Sequence, residues 1–143
     1  MNYELDDDRE RLDLDVVWTY LSTDAYWNRW PRREDMELQF QNARRVIGAY
    51  VAQSDELIGF ARAVSDGVSD AYLGDVYVAP THRGRGDGGR MVEAMVEEGP
   101  GARFRWLLST RDAHQLYSRY GFGPPDERLM ERPGRFARTV DDS

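Results

Sequence analysis

The chain has 143 residues, of which 41% are hydrophobic and 12% aromatic. This composition predicts one globular domain over residues 1–143 with a buried core, rather than a disordered chain. The net charge of −7 argues against nucleic acid as a general partner, because duplex binding needs a basic surface. Cysteine is absent, which excludes disulfides, thiolate nucleophiles and cysteine metal sites.

No apolar run is long enough to cross a bilayer, so we expect no membrane partner. The acidic start of the chain lacks the hydrophobic segment of a secretory signal, and we therefore expect a cytoplasmic protein. All 19 basic residues are arginine. Codon usage in a GC-rich genome and adaptation to a high-salt cytoplasm both account for this bias, and the sequence does not choose between them.

The first third of the chain predicts an acidic segment followed by two helices. Residues 1–12 are expected to form a loose tail or, since Tyr3 and Leu5 alternate with polar residues, a short edge strand. Apolar residues at helical spacing predict a first helix behind an aspartate cap at Asp15. A second helix is predicted over 33–45, after a loop rich in aromatic residues.

The middle of the chain predicts an antiparallel meander of three strands, over 46–53, 57–64 and 71–78, separated by turn residues. A glycine-rich loop and an amphipathic helix follow the third strand. Next comes a nearly continuous apolar run over 104–108, which predicts a strand buried on both faces. Because a helix joins this strand to the meander, it should pair in parallel through a right-handed crossover.

The last part of the chain predicts a helix, a strand and a tail. Asp112 is the expected cap of a helix that ends at Gly121. A final strand is predicted near 128–132, and residues 133–143 are expected to be a loose tail. Helices, a meander and one parallel crossover together predict a mixed α+β domain.

The junction between the third strand and the following helix is typical of anion-binding sites. Three glycines and two arginines lie between Arg83 and Gly88, directly before the helix. Free N–H groups at a helix start, the positive end of its dipole and nearby arginines favour phosphate. The loop also contains Gly84-x-Gly86-x-x-Gly89, the dinucleotide-binding pattern, but the remaining chain is too short for a doubly wound sheet.

Two motifs resemble the GNAT superfamily of N-acetyltransferases. Arg83-x-x-Gly86-x-Gly88 resembles the family's pyrophosphate loop, and Ala113-x-x-x-Tyr117-x-x-x-Gly121-Phe122 resembles its C-terminal signature. The two motifs occur in the family's order, and the predicted strands and helices agree over roughly 15–132. The resemblance implies the GNAT-like acyl-CoA N-acyltransferase fold, with acetyl-CoA as cosubstrate and an amine as acceptor.

The resemblance also implies which residues hold acetyl-CoA. Backbone groups of Val76 and Val78 would bind the pantetheine and the acetyl oxygen at a bulge in the third strand. Thr110 stands where many relatives carry an asparagine that contacts the cofactor. The loop residues implied for the pyrophosphate are Arg83, Gly84, Arg85, Gly86, Asp87, Gly88 and Gly89.

Asp87 departs from the family's habit, because this position is commonly apolar in relatives. Its carboxylate could cap the helix, but it would also lie near phosphate charge. If that repulsion is real, Asp87→Ile should tighten acetyl-CoA binding.

By resemblance, Tyr117 is the general acid that protonates the departing thiolate; the alternative is an aromatic residue that only packs in the core. Asp75 is the candidate base that takes the amine's proton; the alternative is a carboxylate pointing to solvent. Tyr26, Trp27 and Trp30 are the candidate acceptor site, or else a hydrophobic lid.

The two histidines lack metal-ligand spacing, so no metal is expected. The leading function is therefore acetyl transfer from acetyl-CoA to a small or protein-borne amine. A catalytically silent acyl-CoA-binding module and a nucleotide binder remain as alternatives. A homodimer is compatible with the fold, although no residue indicates one.

Overall fold

The computed structural model describes residues 2–25 and 32–134. Within these two segments the chain forms a single five-stranded sheet with helices around it. The strands are β1 (Tyr3–Asp6), β2 (Arg45–Val51), β3 (Leu57–Ser65), β4 (Asp70–Val78) and β5 (Arg105–Leu107). The α-helices are α1 (Leu14–Thr23), α2 (Arg33–Asn42), α3 (Asp87–Glu97) and α4 (His114–Ser118). Short 3-10 helices occupy Arg9–Arg11, Pro80–His82 and Gly99–Arg103.

The strand order is β1-β2-β3-β4-β5. The pairs from β1 to β4 are antiparallel, whereas β4 and β5 pair in parallel, with α3 between them in the chain. The predicted meander with one parallel crossover is therefore confirmed, as is the mixed α+β class. The bounds of β2, β3 and β4 lie within two residues of the predicted ones.

Of the two alternatives for the amino-terminal segment, the edge strand is confirmed and the loose tail is wrong, because Tyr3–Asp6 forms β1. It pairs with β2 from Tyr3↔Val51 to Asp6↔Gly48. Arg11 fixes this segment, since its Nη1 lies 2.8 Å from Glu4 Oε2 and 3.1 Å from Asp6 Oδ2. The carboxylates that made the segment look like a solvated tail are thus partners of a nearby arginine. Residues 135–143 of the other predicted tail lie outside the described residues.

Two further predictions about the carboxyl-terminal part need correction. The predicted strand near 128–132 is not formed; Asp126 instead accepts the N–H of Arg128 in a local turn, and Met130 is 91% exposed. Strand β5 is not buried on both faces, because Arg105 is exposed and Trp106 and Leu107 are only half-buried.

Both predicted helix caps are also wrong. In α1 the cap is Asp13, whose carboxylate accepts the N–H of Asp15. Before α4, Thr110 Oγ1 accepts the N–H of Ala113 at 3.0 Å, and no side chain caps the helix at Ala113 itself. Gly121 does end this region as predicted, with φ +89°.

The sheet separates two cores of different character. The face towards α1 and α2 is aromatic, because Phe60 stacks on Tyr77 at 5.2 Å between ring centroids and meets Phe40 edge-on at 5.8 Å. The face towards α3 is built mainly from small and flexible residues: Ala49, Ala61, Ala63, Met91, Val92, Ala94 and Met95. Small side chains allow α3 to approach the sheet closely and so fix where its N-terminus lies.

Candidate active site

The central feature of the site is a β-bulge in β4. Phe60 is paired with Tyr77, and Arg62 is paired with Gly74. Between these pairs β3 contributes only Ala61, whereas β4 contributes both Asp75 and Val76. Asp75 accommodates the extra residue of β4 by adopting a left-handed backbone conformation, with φ +52°. A bulge of this kind locally disrupts the hydrogen-bond ladder and bends the strand.

The bulge opens into a cleft of about 800 Å³. The cleft brings together seven of the predicted site residues: Asp75, Val76, Val78, Arg83, Gly88, Thr110 and Tyr117. These residues come from β4, from the glycine-rich loop and from the segment around α4. Residues far apart in the sequence therefore line one cleft.

Asp75 is paired with an arginine inside this cleft. Arg62 Nε donates to Asp75 Oδ2 at 2.6 Å, and the two side chains are 12% and 9% exposed. The alternative reading of Asp75 as a solvent-facing carboxylate is therefore wrong. Its negative charge is compensated by Arg62, as a buried charge requires.

A second ion pair links the glycine-rich loop to the end of α1. Arg83 donates from Nη2 to Asp24 Oδ2 and from Nε to Val78 O at 2.8 Å. Tyr77 also donates its hydroxyl to Asp24 Oδ2, at 2.9 Å. The Arg83 guanidinium and the Tyr77 hydroxyl hold the pKa of the Asp24 carboxyl below its usual range. Burial and the hydrogen bond to Asp24 raise the pKa of Tyr77.

Two nitrogens of Arg83, Nε and Nη2, are thus bonded to protein groups, while the side chain is 50% exposed. The loop also offers backbone: Gly84 and Gly86 adopt φ +79° and +84°, the left-handed region that glycine tolerates best. Both are exposed, and a Cβ on either would meet no atom within 4 Å. The loop leads directly into α3, whose first N–H groups suit a pyrophosphate. These residues fit the phosphate end of acetyl-CoA.

Two of the predicted loop residues are turned inwards. Asp87 is only 3% exposed, and no described residue donates a hydrogen bond to either carboxylate oxygen. The expected side-chain cap is therefore not formed. Burial, and then the negative charge of Asp87, raise the pKa of Tyr3. A Cβ at Gly89 would be 3.0 Å from Tyr120 Oη, so this glycine makes room for packing.

Tyr117 lies in the cleft at the carboxyl-terminal side, half-buried, with its ring edge-on to Phe122 at 5.8 Å. Thr110 also lines the cleft while its hydroxyl accepts the N–H of Ala113. The predicted acceptor-site residues Tyr26, Trp27 and Trp30 lie outside the described residues.

Sequence reasoning missed Arg62 and Asp24, both of which contribute to the cleft. A signal for Arg62 was present: it is the one charged residue in the otherwise apolar run Leu57-Ile-Gly-Phe-Ala-Arg-Ala-Val64. A charge at such a position needs a buried partner or a ligand. Asp24 gave no comparable signal, because its partners come from distant parts of the chain.

The described residues contain no group of three or more His, Asp or Glu side chains placed to hold a metal ion. Among the helices of 2–25 and 32–134, none has the length and apolarity to cross a membrane.

Comparison with known proteins identifies the family. The model of the acetyltransferase (GNAT) family matches residues 14–122. A proposed acetyltransferase of Gibberella zeae is 30% identical over 129 residues, which cover 84% of this chain and 72% of that protein. A solved structure of a proposed GNAT acetyltransferase from Xanthomonas campestris pv. campestris is 34% identical, with a TM-score of 0.85 and 94% of each chain covered.

A proposed acetyltransferase from Deinococcus radiodurans R1 has the same fold at 20% identity, with a TM-score of 0.71 and coverage of 92% of this chain and 89% of that one. The bulged strand, the glycine-rich loop and the matched family model lead to one conclusion. The chain belongs to the GNAT family of acetyltransferases.

Proposed function

We propose that the protein transfers the acetyl group of acetyl-CoA directly to the nitrogen of an amine. The observation that carries this proposal is the convergence of the β4 bulge, the start of α3 and Tyr117 on one cleft. In this proposal a single cleft binds acetyl-CoA, has a surface for the acyl acceptor and contains a proton donor. The described chain offers no cysteine for a covalent acyl-enzyme, which is consistent with direct attack.

Each part of the cleft has a role in this proposal. Backbone N–H groups from Gly84 to Gly88 bind the pyrophosphate, and the backbone of Val76 and Val78 binds the pantetheine and the acetyl oxygen. Acetyl-CoA supplies the activated acyl group. The new C–N bond forms as the C–S bond breaks.

Two protons must also be accounted for. The proton that the attacking amine loses passes to the Asp75 carboxylate, directly or by way of water in the open cleft. The thiolate of coenzyme A leaves with a proton from the Tyr117 hydroxyl. A phenol suits this task because it is neutral at working pH yet can donate a proton.

Ligand binding gives the first test. Acetyl-CoA and coenzyme A should raise the melting temperature of the protein, whereas ATP and NAD should raise it little. A shift with ATP equal to that with acetyl-CoA would favour a general nucleotide binder. No shift with acetyl-CoA would contradict the proposal.

Turnover gives the second test, with release of free thiol from acetyl-CoA as the measurement. Tyr117→Phe removes only the hydroxyl, so kcat should fall by about 10²- to 10⁴-fold while acetyl-CoA still shifts the melting temperature. Tyr120→Phe is the matched control, since Tyr120 packs against Gly89 outside the described cleft lining. Equal losses in both variants would argue against Tyr117 as the acid. An acyl-CoA-binding module without catalysis would release no thiol with any amine.

A further inference from the structure

Arg62 is an arginine for which the proposed reaction gives no role, although it lines the cleft. It lies on β3, and its side chain is 12% exposed. Its guanidinium lies flat against Gly74, since a Cβ at that position would be 3.0 Å from both Cζ and Nη2. The absence of a side chain at Gly74 is therefore what lets the guanidinium occupy the floor of the cleft beside the bulge.

Only part of this guanidinium is used by the protein. Arg62 Nε donates to Asp75 Oδ2 at 2.6 Å, but within 2–25 and 32–134 neither Nη1 nor Nη2 has a hydrogen-bond acceptor. A guanidinium carries five N–H donors in a planar fork that matches a carboxylate in two parallel hydrogen bonds. The guanidinium also lies over the Phe40 ring, with Cζ 6.0 Å from the ring centroid, but its Nη atoms are not among the buried unsatisfied atoms of the described residues. These donors therefore face the open cleft, where a ligand acceptor can replace water. Arg62 thus points to an anionic group in the cleft.

The anion is not the pyrophosphate of coenzyme A. Arg62 is paired with Gly74, four residues before the end of β4 at Val78. At about 3.3 Å per residue, this places the pair roughly 13 Å from the strand end where the glycine-rich loop begins. The anion that Arg62 would bind must therefore belong to the acceptor.

Resting on the acetyltransferase function above, we propose that the acceptor is an amine with a carboxylate close to its amino group, such as a free amino acid. Asp75 and Arg62 form a pair of opposite charges beside the bulge, and a zwitterion is the complementary ligand. Its carboxylate binds the Nη1 and Nη2 atoms of Arg62, and its ammonium group lies by Asp75. The ammonium loses its first proton to water in the open cleft, and the second passes to Asp75 as the neutral amine attacks. A phosphate is disfavoured because its second charge would lie beside Asp75.

This arrangement separates small acceptors from protein-borne ones. A lysine side chain within a protein has no free carboxylate near its amine, so it would leave the Arg62 fork unused. The same holds for simple amines.

Matched substrate pairs test the proposal. Thiol release should be measured for phenylalanine against phenethylamine, histidine against histamine and free lysine against cadaverine, with an internal lysine in a peptide as a further acceptor. The amino acids should have the higher kcat/KM in each pair. Arg62→Lys keeps the charge but loses the fork, so KM for the amino acids should rise about ten- to hundredfold, while the values for the decarboxylated amines stay within about twofold. Arg119→Lys, at an exposed position, is the control and should change neither.

A second variant covers the case in which Arg62→Lys does not fold. Gly74→Ala places a methyl group against the guanidinium and displaces it without changing any charge. It should raise KM for the amino acids more than for the amines. Melting temperature supplies a readout without turnover, since amino acids but not the matched amines should stabilise the wild-type protein with coenzyme A bound.

The outcomes separate this inference from the proposed function. Binding of acetyl-CoA without any preference for carboxylated acceptors, in turnover and in melting temperature, would overturn the role of Arg62 and leave acetyl transfer intact. Equal losses for amino acids and amines in Arg62→Lys would also overturn it. Failure of acetyl-CoA to bind at all would instead contradict the proposed function, and the amino-acid stabilisation of the ligand-free protein would then decide about Arg62 alone.

Discussion

Two carboxylates with little exposed side chain, Asp75 within β4 and Asp87 at the start of α3, have different surroundings. Asp75, in the bulge, is 9% exposed at its side chain and is bonded to Arg62 at 2.6 Å. Asp87, at the start of α3, is 3% exposed, and its oxygens have no hydrogen-bond partner among the described residues. An opposite charge offsets the cost of burying a carboxylate, whereas a buried carboxylate without one lowers stability. Burial alone therefore does not show whether a carboxylate is costly.

Stability should be more sensitive to mutation at the Arg62–Asp75 pair than at Asp87. Arg62→Met leaves Asp75 buried without its partner, so the free energy of unfolding should fall by about 3–5 kcal/mol. Urea denaturation of the single variant and of the double variant Arg62→Met, Asp75→Asn measures this. The double variant should recover much of the loss, because no uncompensated charge remains. A single variant as stable as the wild type would show that the pair is not buried in solution.

Substitution of Asp87 should change the free energy of unfolding in the opposite direction. Asp87→Val removes a charge without hydrogen-bond partners, so the free energy of unfolding should rise by about 1–3 kcal/mol. Loss of the favourable helix-dipole contact offsets a small part of this gain. Asp87→Asn, which removes only the charge, should fall between the wild type and Asp87→Val in thermal denaturation. A lower melting temperature for Asp87→Val would mean that the carboxylate has a partner in solution.

A smaller effect is expected in the loop beside Asp87. At Gly86, with φ +84°, alanine meets no atom within 4 Å, so any loss comes from the backbone alone. Gly86→Ala should lower stability by about 1 kcal/mol and weaken acetyl-CoA binding, measured by calorimetry. Gly123→Ala is the matched control, because that glycine also has open space around it and no left-handed φ. Unchanged affinity in Gly86→Ala would argue against a loop shaped for phosphate.

The smallest effect should come from substitution of Asp24, whose carboxylate accepts hydrogen bonds from Arg83 of the glycine-rich loop and from Tyr77 of β4. Its pKa is held below the ordinary value of 3.8, so the ion pair stabilises the fold above that value and is lost as the pH falls through the lower, folded-state pKa. Asp24→Asn should therefore be less stable than the wild type at pH 7, and this difference should shrink below about pH 4. Asp112→Asn, at an exposed carboxylate with no hydrogen bond from a described residue, should show no such trend. A difference independent of pH would remove charge as the cause.

Local signals were enough to predict much of the fold. The turn residues between the strands, the helix after the glycine-rich loop and Gly121 depend on short stretches of sequence, and the meander with its parallel crossover is as predicted. The errors concern features that need distant partners. β1 pairs with β2 and is fixed by Arg11, Thr110 replaces Asp112 in the turn before α4, and the segment near 128–132 finds no neighbouring strand.

The sequence by itself determined the family and indicated two segments that line the cleft, the Arg83–Gly88 loop and the block around Tyr117. Both are contiguous motifs, in which the residue types follow from the local backbone conformation. Only the tertiary structure decided which charges meet. That Asp75 is paired with Arg62, that Arg83 is bonded to Asp24 and that Asp87 is buried without a partner all depend on the bulge in β4 and on how closely α3 approaches the sheet. Electrostatic partners act through space, and a linear sequence gives no distance between residues on different elements.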